Sequence, residues 1–208
     1  MNGGQLKVLA MLPMLIDHLG LAFWPEARWL RWIGRLAMPI FVFLLTEGFR
    51  HTRSRKKYLL RLTLCGLISE PAFDRFVYGQ WVSWEGQSIL LGLILTFLCL
   101  WAMNRARKTW TKIAAVVLCA LGAELLGADY GWVTVALGAA FFLLPREKAA
   151  VSYFLCLLAA GAAMGGIQPW MALAAIPLGV YNGEKGKAVG YAWYGFYPVH
   201  LLILAFLK

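Results

Sequence analysis

The sequence predicts an all-α bundle of transmembrane helices, with about nine spans and a range of eight to ten. Of its 208 residues, 61% are hydrophobic and 14% are charged, and the mean hydropathy is +0.66. That composition excludes an ordinary soluble domain. Apolar stretches recur along the whole chain, and Lys and Arg concentrate in alternate connections between them. We therefore expect residues 1–208 to form a single integral-membrane domain.

Nine apolar segments are the expected spans. They are 6–24, 33–49, 58–73, 88–103, 113–126, 130–144, 151–165, 169–181 and 188–207. Several are shorter than the roughly 20 residues that a straight membrane-spanning helix needs. Tilted, broken or partly re-entrant spans are therefore alternatives to straight ones. This applies above all to the seventh and eighth segments, which only GGIQP separates.

The placement of positive charge predicts the orientation. The formal net charge is +10, and the second connection, RHTRSRKK (50–57), carries five Lys/Arg, whereas the fifth and seventh connections carry none. Cytoplasmic loops are the ones enriched in Lys and Arg. The N-terminus is thus predicted inside and, with nine spans, the C-terminus outside.

Several chemistries lack sequence support. The chain contains no Walker sequence, H-E-x-x-H or G-x-S-x-G, so hydrolase and nucleotidase functions have no direct signal. Its four cysteines lie inside apolar segments without C-x-x-C spacing. We expect them to be core residues, neither disulfides nor metal ligands.

The first segment carries Lys7, Asp17 and His18, three ionisable groups that a simple anchor would avoid. An ionisable side chain in a span costs about 3 kcal/mol on insertion scales and is a functional-site hypothesis by default. Lys7 and His18 are eleven residues apart, which is three helical turns, so both lie on one face about 16 Å apart. Lys7 is then near the cytoplasmic surface and His18 past the midplane.

The remaining buried polar groups fall into two layers by depth. In the inner layer Lys7 can meet Glu47. The outer layer surrounds His18 with the following groups: Asp17, Arg35, Glu70, Asp74 and His200. Many titratable groups at one depth are typical of a polar site or pathway.

Each of these signals has a structural alternative. His18 can be a satisfied interior histidine, and Lys7 can extend to the lipid headgroups. Asp17 projects about 100° away from His18, so it is expected to pair with Arg35 rather than to orient the imidazole. The run 50–57 is explained by topology and lipid headgroups, or by a phosphate-rich cytosolic ligand.

Seven stretches closely resemble the TraX family. They are MLIDHLG (14–20), GRLAMPIFVFLLTEG (34–48), KKYLLRL (56–62), ISEPAFD (68–74), ADYG (128–131), YNGEKG (181–186) and FYPVHLL (196–202). The resemblance implies a membrane acetyltransferase of the bacterial inner membrane, associated with N-terminal acetylation of conjugative pilin. The family looks related to the acyltransferase-3 superfamily, whose first helix carries a basic residue, ten intervening residues and a histidine.

The resemblance assigns roles to residues of this chain. It implies that Lys7 contacts coenzyme A and that His18 is catalytic. The other candidate catalytic residues are Asp17, Arg35, Glu70 and His200. The other candidate donor-binding residues are Glu47, Arg53, Lys56, Lys57 and Arg61. Further site positions are Asp74, Asp129, Tyr130 and Tyr197.

The expected reaction moves an acetyl group from cytosolic acetyl-CoA to an acceptor outside, such as a pilin N-terminus, another surface peptide or a glycan. His18 would be the general base, or would carry a transient acetyl group. Arg35 or a backbone amide freed by a proline would hold the oxyanion. No metal and no nucleic acid is expected. A small transporter and a non-catalytic pilus or secretion subunit are the alternatives, although no internal repeat supports a carrier.

Overall fold

A computed structural model describes residues 1–144, 149–186 and 192–208. Within those ranges every regular element is a helix, and the β pairing is confined to an isolated bridge between Gln87 and Ala128. The elements are α1 (Gly3–Phe23), α2 (Arg28–Gly34), α3 (Ala37–His51), α4 (Arg55–Val77), α5 (Ile89–Arg105), α6 (Thr109–Leu125), α7 (Gly131–Leu143), α8 (Ala149–Met164), the 3-10 helix η1 (Gln168–Ala174), α9 (Ala175–Gly179) and α10 (Ala192–Leu207). The all-α prediction is confirmed for these residues.

Polar residues immediately before the apolar runs set where helices begin. At α1, Asn2 and Gln5 form a capping box, with the Asn2 side chain accepting from the Gln5 amide at 3.0 Å and the Gln5 side chain accepting from the Asn2 amide at 2.9 Å. At α4, the Ser54 hydroxyl accepts from the Lys57 amide at 3.3 Å. Such caps satisfy amides that have no partner within the helix.

Contacts between the connections sort them to two ends of the bundle. The basic end comprises 1–7, 50–57, 101–112 and 180–186, and it carries most of the Lys and Arg. The distal end comprises 20–31, 78–88, 126–131 and 165–170. Contacts tie the distal connections together: Gln87 bridges to Ala128, and Trp32 stacks on Trp170 with ring centroids 5.2 Å apart. The connections that are rich in Lys and Arg in the sequence therefore lie together at one end of the structure.

The outward faces of several helices are apolar. Leu67 and Ile68 on α4, Leu118 and Leu125 on α6 and Val151 on α8 are all exposed. Two stretches are long and apolar enough to cross a membrane, Gly3–Phe23 and Arg28–His51, the second being α2 and α3 together. Shorter apolar helices cover Ile89–Arg105, Gly131–Leu143, Ala150–Met164 and Tyr194–Leu207.

The helices match the nine predicted segments, with differences at the breaks. The second segment begins earlier, as α2, and the helix is interrupted between Gly34 and Ala37. The eighth is η1 followed by α9, so it is a broken helix rather than a continuous one. The predicted start of the ninth, at residue 188, lies outside the described residues. The four cysteines are free thiols.

Prolines within helices leave carbonyls free, as expected. Pro198 lies inside α10 and has no amide hydrogen for the Tyr194 carbonyl one turn earlier. That carbonyl accepts instead from the Cys65 thiol of α4 at 3.5 Å. The carbonyl that Pro198 leaves free therefore contributes a link between α10 and α4, the two helices that lie beside His18.

Candidate functional site

Two consecutive residues of α1 define the site near the distal end. Asp17 and His18 project about 100° apart around the helix axis. Their side chains therefore meet different neighbours. Asp17 faces α2 and the start of α3, whereas His18 faces α4 and α10.

The His18 imidazole is hydrogen-bonded to the imidazole of His200, 182 positions away in sequence. His18 Nδ1 lies 2.8 Å from His200 Nε2. The other ring nitrogen of His200, Nδ1, lies 2.7 Å from the carbonyl oxygen of Phe196 one turn earlier on α10. Sequence depth predicted His200 as a neighbour of His18, and the structure places them in direct contact.

This chain of hydrogen bonds assigns the tautomers. A carbonyl oxygen only accepts, so His200 Nδ1 carries a hydrogen and donates it to Phe196. In a neutral His200 the Nε2 atom is then the acceptor, and His18 Nδ1–H is its donor. The remaining nitrogen of His18, Nε2, carries a lone pair, and no group among the described residues donates to it. His18 Nε2 is thus poised to accept a proton.

Aromatic rings hold the two imidazoles in place. Phe196 stacks on His200 with centroids 4.7 Å apart, and Tyr197 lies edge-on to the same ring at 5.7 Å. Phe76 of α4 packs against His18 at 5.5 Å. His200 is buried and His18 is only partly so.

Asp17 is the centre of an ion pair network. Its two carboxylate oxygens accept from Nη2 of Arg35 at 3.0 and 3.1 Å, and Arg31 Nε lies 3.3 Å from Oδ1. Arg35 Nε donates to the Arg31 carbonyl at 3.1 Å, and Nη1 donates to the Gln168 side chain at 3.4 Å. The predicted Asp17–Arg35 pair is confirmed. Every nitrogen of the Arg35 guanidinium has a partner.

A glycine permits this close approach of α1 and α2. A Cβ atom at Gly34 would collide with the Asp17 side chain. The Asp17 carboxylate lies directly against the backbone of residue 34, so a residue with a Cβ atom does not fit at that position.

Arg31 and Gln168 were not among the sequence candidates. Arg31 lies four positions before Arg35, and residues four apart share a helix face, so that spacing was the available signal. Gln168 had no such signal, because it enters from the start of η1, 133 positions from Arg35.

Asp129 and Tyr130 flank this network at the connection before α7. The Tyr130 ring lies under the Arg35 guanidinium at 5.5 Å. Tyr130 has a positive φ of 62°, and the Asp129 amide donates to the Gln87 carbonyl at 2.9 Å. The bridged connection thus holds Tyr130 in a left-handed conformation that costs about 1–2 kcal/mol for a residue other than glycine.

Glu70 and Asp74 lie at the predicted depth but contact backbone rather than the imidazoles. Glu70 accepts from the Ser88 amide at 2.8 Å and from its hydroxyl at 2.7 Å, which caps the start of α5. Asp74 Oδ2 accepts from the Ser83 amide at 2.8 Å. Both carboxylates therefore anchor the connection 78–88, with a favourable charge at the N-terminus of α5.

At the basic end the candidate donor-binding residues divide into separate groups. Glu47 binds Arg50 at 2.9 Å, and Arg50 also donates to the carbonyls of Phe141 and Phe142, so this pair joins α3 to the end of α7. A shallow cleft of about 390 Å³ is lined by Thr52, Arg53, Ser54, Arg55, Lys56, Trp101 and Arg105. Lys7, Lys57 and Arg61 are not among its lining residues.

The cleft is farther from His18 than Lys7 is. Lys56 lies in the first turn of α4, and Phe76, which contacts His18, follows twenty residues later, or about 30 Å along the axis. Lys7 and His18 are about 16 Å apart on α1. Of the two basic regions, the one at Lys7 is the closer to the imidazole.

The family follows from comparison with known proteins. The TraX protein family model matches residues 2–208. The chain belongs to the TraX family. It is 33% identical to a probable fimbrial assembly protein FimC of serogroup H1 from Dichelobacter nodosus, over 98% of this chain and 94% of that protein. It is 26% identical to protein TraX from Escherichia coli, over 97% of this chain and 85% of that protein.

The TraX match spans both ends of the molecule, including His18, His200 and the Asp17 network. A third relative, uncharacterized protein RP591 from Rickettsia prowazekii, is 50% identical over 72 residues, which is 35% of this chain and 29% of that protein. No solved structure matches the chain.

Proposed function

We propose that this member of the TraX family is a multi-pass membrane acetyltransferase. It spans the bacterial inner membrane about nine times, with the basic end in the cytoplasm, and transfers acetyl from cytosolic acetyl-CoA to an acceptor at the distal end. The apolar outward faces and the charge segregation support this arrangement. Exposed tryptophans near both ends, Trp24, Trp29 and Trp84 at the distal end and Trp110 at the basic end, fit the two interfaces of a bilayer.

The observation that carries the proposal is the open nitrogen of His18. A buried partner, His200, accepts from His18 Nδ1 and so directs the lone pair of Nε2 away from the pair. A base oriented by a second group is the arrangement that proton-transfer catalysis needs. A histidine present only for packing would also be hydrogen-bonded, so the feature that favours catalysis is the second ring nitrogen, Nε2, to which no described residue donates.

The mechanism follows from that lone pair. His18 Nε2 takes a proton from the acceptor amine or hydroxyl as its nitrogen or oxygen attacks the thioester carbonyl carbon. The carbon–sulfur bond then breaks, and the imidazolium of His18 returns its proton to the leaving thiolate, which gives free coenzyme A and the acetylated acceptor. His200 stabilises the imidazolium, because it accepts from Nδ1 throughout.

The Asp17 network has a positioning role in this proposal. Arg35 fixes Asp17, and thereby the turn of α1 that presents His18. It also stays the proposed oxyanion donor, because Nη1 makes one hydrogen bond, to Gln168, and carries a second N–H.

The acceptor is proposed from the relatives. One is named as a fimbrial assembly protein, and a pilus subunit offers a free amine at its N-terminus. If this acceptor is right, the mass of the pilus subunit should be higher by one acetyl group. Deletion of the gene for this chain should abolish that increase.

The enzymatic test uses the purified protein with radiolabelled acetyl-CoA. We expect slow hydrolysis, and transfer to an acceptor peptide. His18→Ala should lower the rate by about 10²- to 10⁴-fold, the range for loss of general acid–base catalysis, without loss of folded protein. His51→Ala is the matched control, because His51 is an exposed histidine at the basic end. Full activity of His18→Ala contradicts the proposal, and a wild-type protein that neither binds nor turns over acetyl-CoA favours a carrier or an assembly subunit.

A further inference from the structure

The connection after α9 folds over the start of α1. The N-terminal ammonium of Met1 donates to the Val180 carbonyl at 2.7 Å. The Gly3 amide donates to the Glu184 carbonyl at 2.7 Å, and the Asn182 amide donates to the Met1 carbonyl at 2.8 Å. Main-chain hydrogen bonds therefore hold the segment 180–186 against the first turn of α1.

The tip of this segment is also braced from within. The Asn182 side chain accepts from the Glu184 amide at 3.1 Å and donates to the Glu184 carboxylate at 2.9 Å. The next residue, Lys185, lies against Gly3, where an added Cβ would be 3.1 Å from the Lys185 carbonyl oxygen. The backbone of Lys185 is thus fixed relative to α1.

That position brings Lys185 next to Lys7. Gly3 and Lys7 are four residues apart and share one helix face, so the backbone of Lys185, which lies against Gly3, is about one helical turn from Lys7. Like charges at short range repel, so an anion placed between two such ammonium groups is bound favourably. Lys7 lies on the same face as His18.

We propose that Lys185 and Lys7 together bind the phosphate groups of the acyl donor at the start of α1. The inference rests on the proposed function, and it adds a donor-binding residue outside the first helix. Phosphates held at Lys7 leave about 16 Å to His18, the distance that the pantetheine arm must cover to present its thioester. Lys185 binds the nucleotide portion of the donor and takes no part in the chemistry at His18.

The kinetic test compares two donors with the protein in nanodiscs of phosphatidylcholine. Acetyl-CoA carries the phosphates, and acetylpantetheine lacks them. Lys185→Gln should raise the KM for acetyl-CoA about fivefold, the upper range for one exposed ion pair. It should leave kcat, and the KM for acetylpantetheine, unchanged. Lys185→Arg keeps the charge and should behave as wild type, as should Lys108→Gln, which removes an exposed lysine elsewhere at the basic end.

An equal effect of Lys185→Gln on both donors, or none on either, overturns the inference. Binding of adenosine 3′,5′-bisphosphate, measured by calorimetry, requires no turnover and separates this inference from the proposed function. If the protein shows no acetyl transfer but Lys185→Gln still weakens binding of adenosine 3′,5′-bisphosphate, the proposed function is wrong and the phosphate site is supported. A defect seen only in nanodiscs of phosphatidylglycerol assigns the lysines to a lipid headgroup and overturns the inference.

Discussion

Asp17 and His18 are adjacent on α1 but belong to two different kinds of polar site. The Asp17 carboxylate is saturated, with Arg35 bound to both oxygens and Arg31 to one. The His18 ring has one nitrogen bound to His200 and one open. The first region is charged and closed, and the second carries no net charge and keeps an available lone pair.

The difference separates a structural role from a chemical one. A buried charge must be fully paired, because an unpaired one loses its hydration without compensation. The Asp17 network meets that requirement and joins α1, α2 and η1. A catalytic base must instead keep one site free for the proton it accepts. Of these two regions, the His18 pair is the one that combines a fixed ring with a free site.

Asp17→Ala should have the largest effect on stability. It leaves Arg35 buried without its carboxylate, and removal of one partner of a buried ion pair costs about 3–5 kcal/mol. A lower Tm of the purified protein, measured by intrinsic fluorescence, is the expected result. Glu26→Ala, which removes an exposed carboxylate just after α1, should leave the Tm unchanged. Equal Tm values for the two variants contradict a structural role for Asp17.

His200→Ala should have a smaller effect, and on catalysis rather than on folding. Without His200 the His18 ring loses the acceptor that selects its tautomer, and we expect kcat to fall about tenfold to a hundredfold, equivalent to about 1.4–2.7 kcal/mol. The KM for acetyl-CoA should not change. His200→Gln offers a side-chain carbonyl to His18 Nδ1 and should recover part of the lost kcat. Identical kcat values for the Ala and Gln variants would contradict the tautomer assignment.

The smallest effect is expected at the basic cleft. Arg53→Gln and Lys56→Gln alter residues that line it, and Lys56 is about 30 Å along α4 from the ring next to His18. We expect the KM for acetyl-CoA to change by less than about twofold, or about 0.4 kcal/mol, because in this proposal the donor phosphates bind at Lys7 and Lys185 rather than in the cleft. If these variants raise the KM for acetyl-CoA more than Lys185→Gln does, the donor binds in the cleft instead.

Much of the local structure follows from the sequence, because helix formation and capping depend on nearby residues. The apolar segments became helices, and the i, i+11 spacing aligned Lys7 with His18 on one face. The Asp17–Arg35 pair was also predictable, since the two residues are on consecutive segments and project toward each other. Position along the helices grouped Glu70 and Asp74 with His18, but their carboxylates accept from backbone amides instead. The depth of a residue in the bundle does not specify which group its side chain contacts.

The sequence by itself determined the all-α class, the segregation of charge to one end and the stripe on α1. These properties depend on composition and on the period of one helix. Only the tertiary structure decided that His200 orients His18, that Gln168 completes the Asp17 network and that Lys185 lies against Gly3 in the first turn of α1. Each of these contacts joins residues more than a hundred positions apart, and their distance depends on how helices pack and where connections fold back. Helical periodicity specifies which face a residue occupies, but not which helix covers that face.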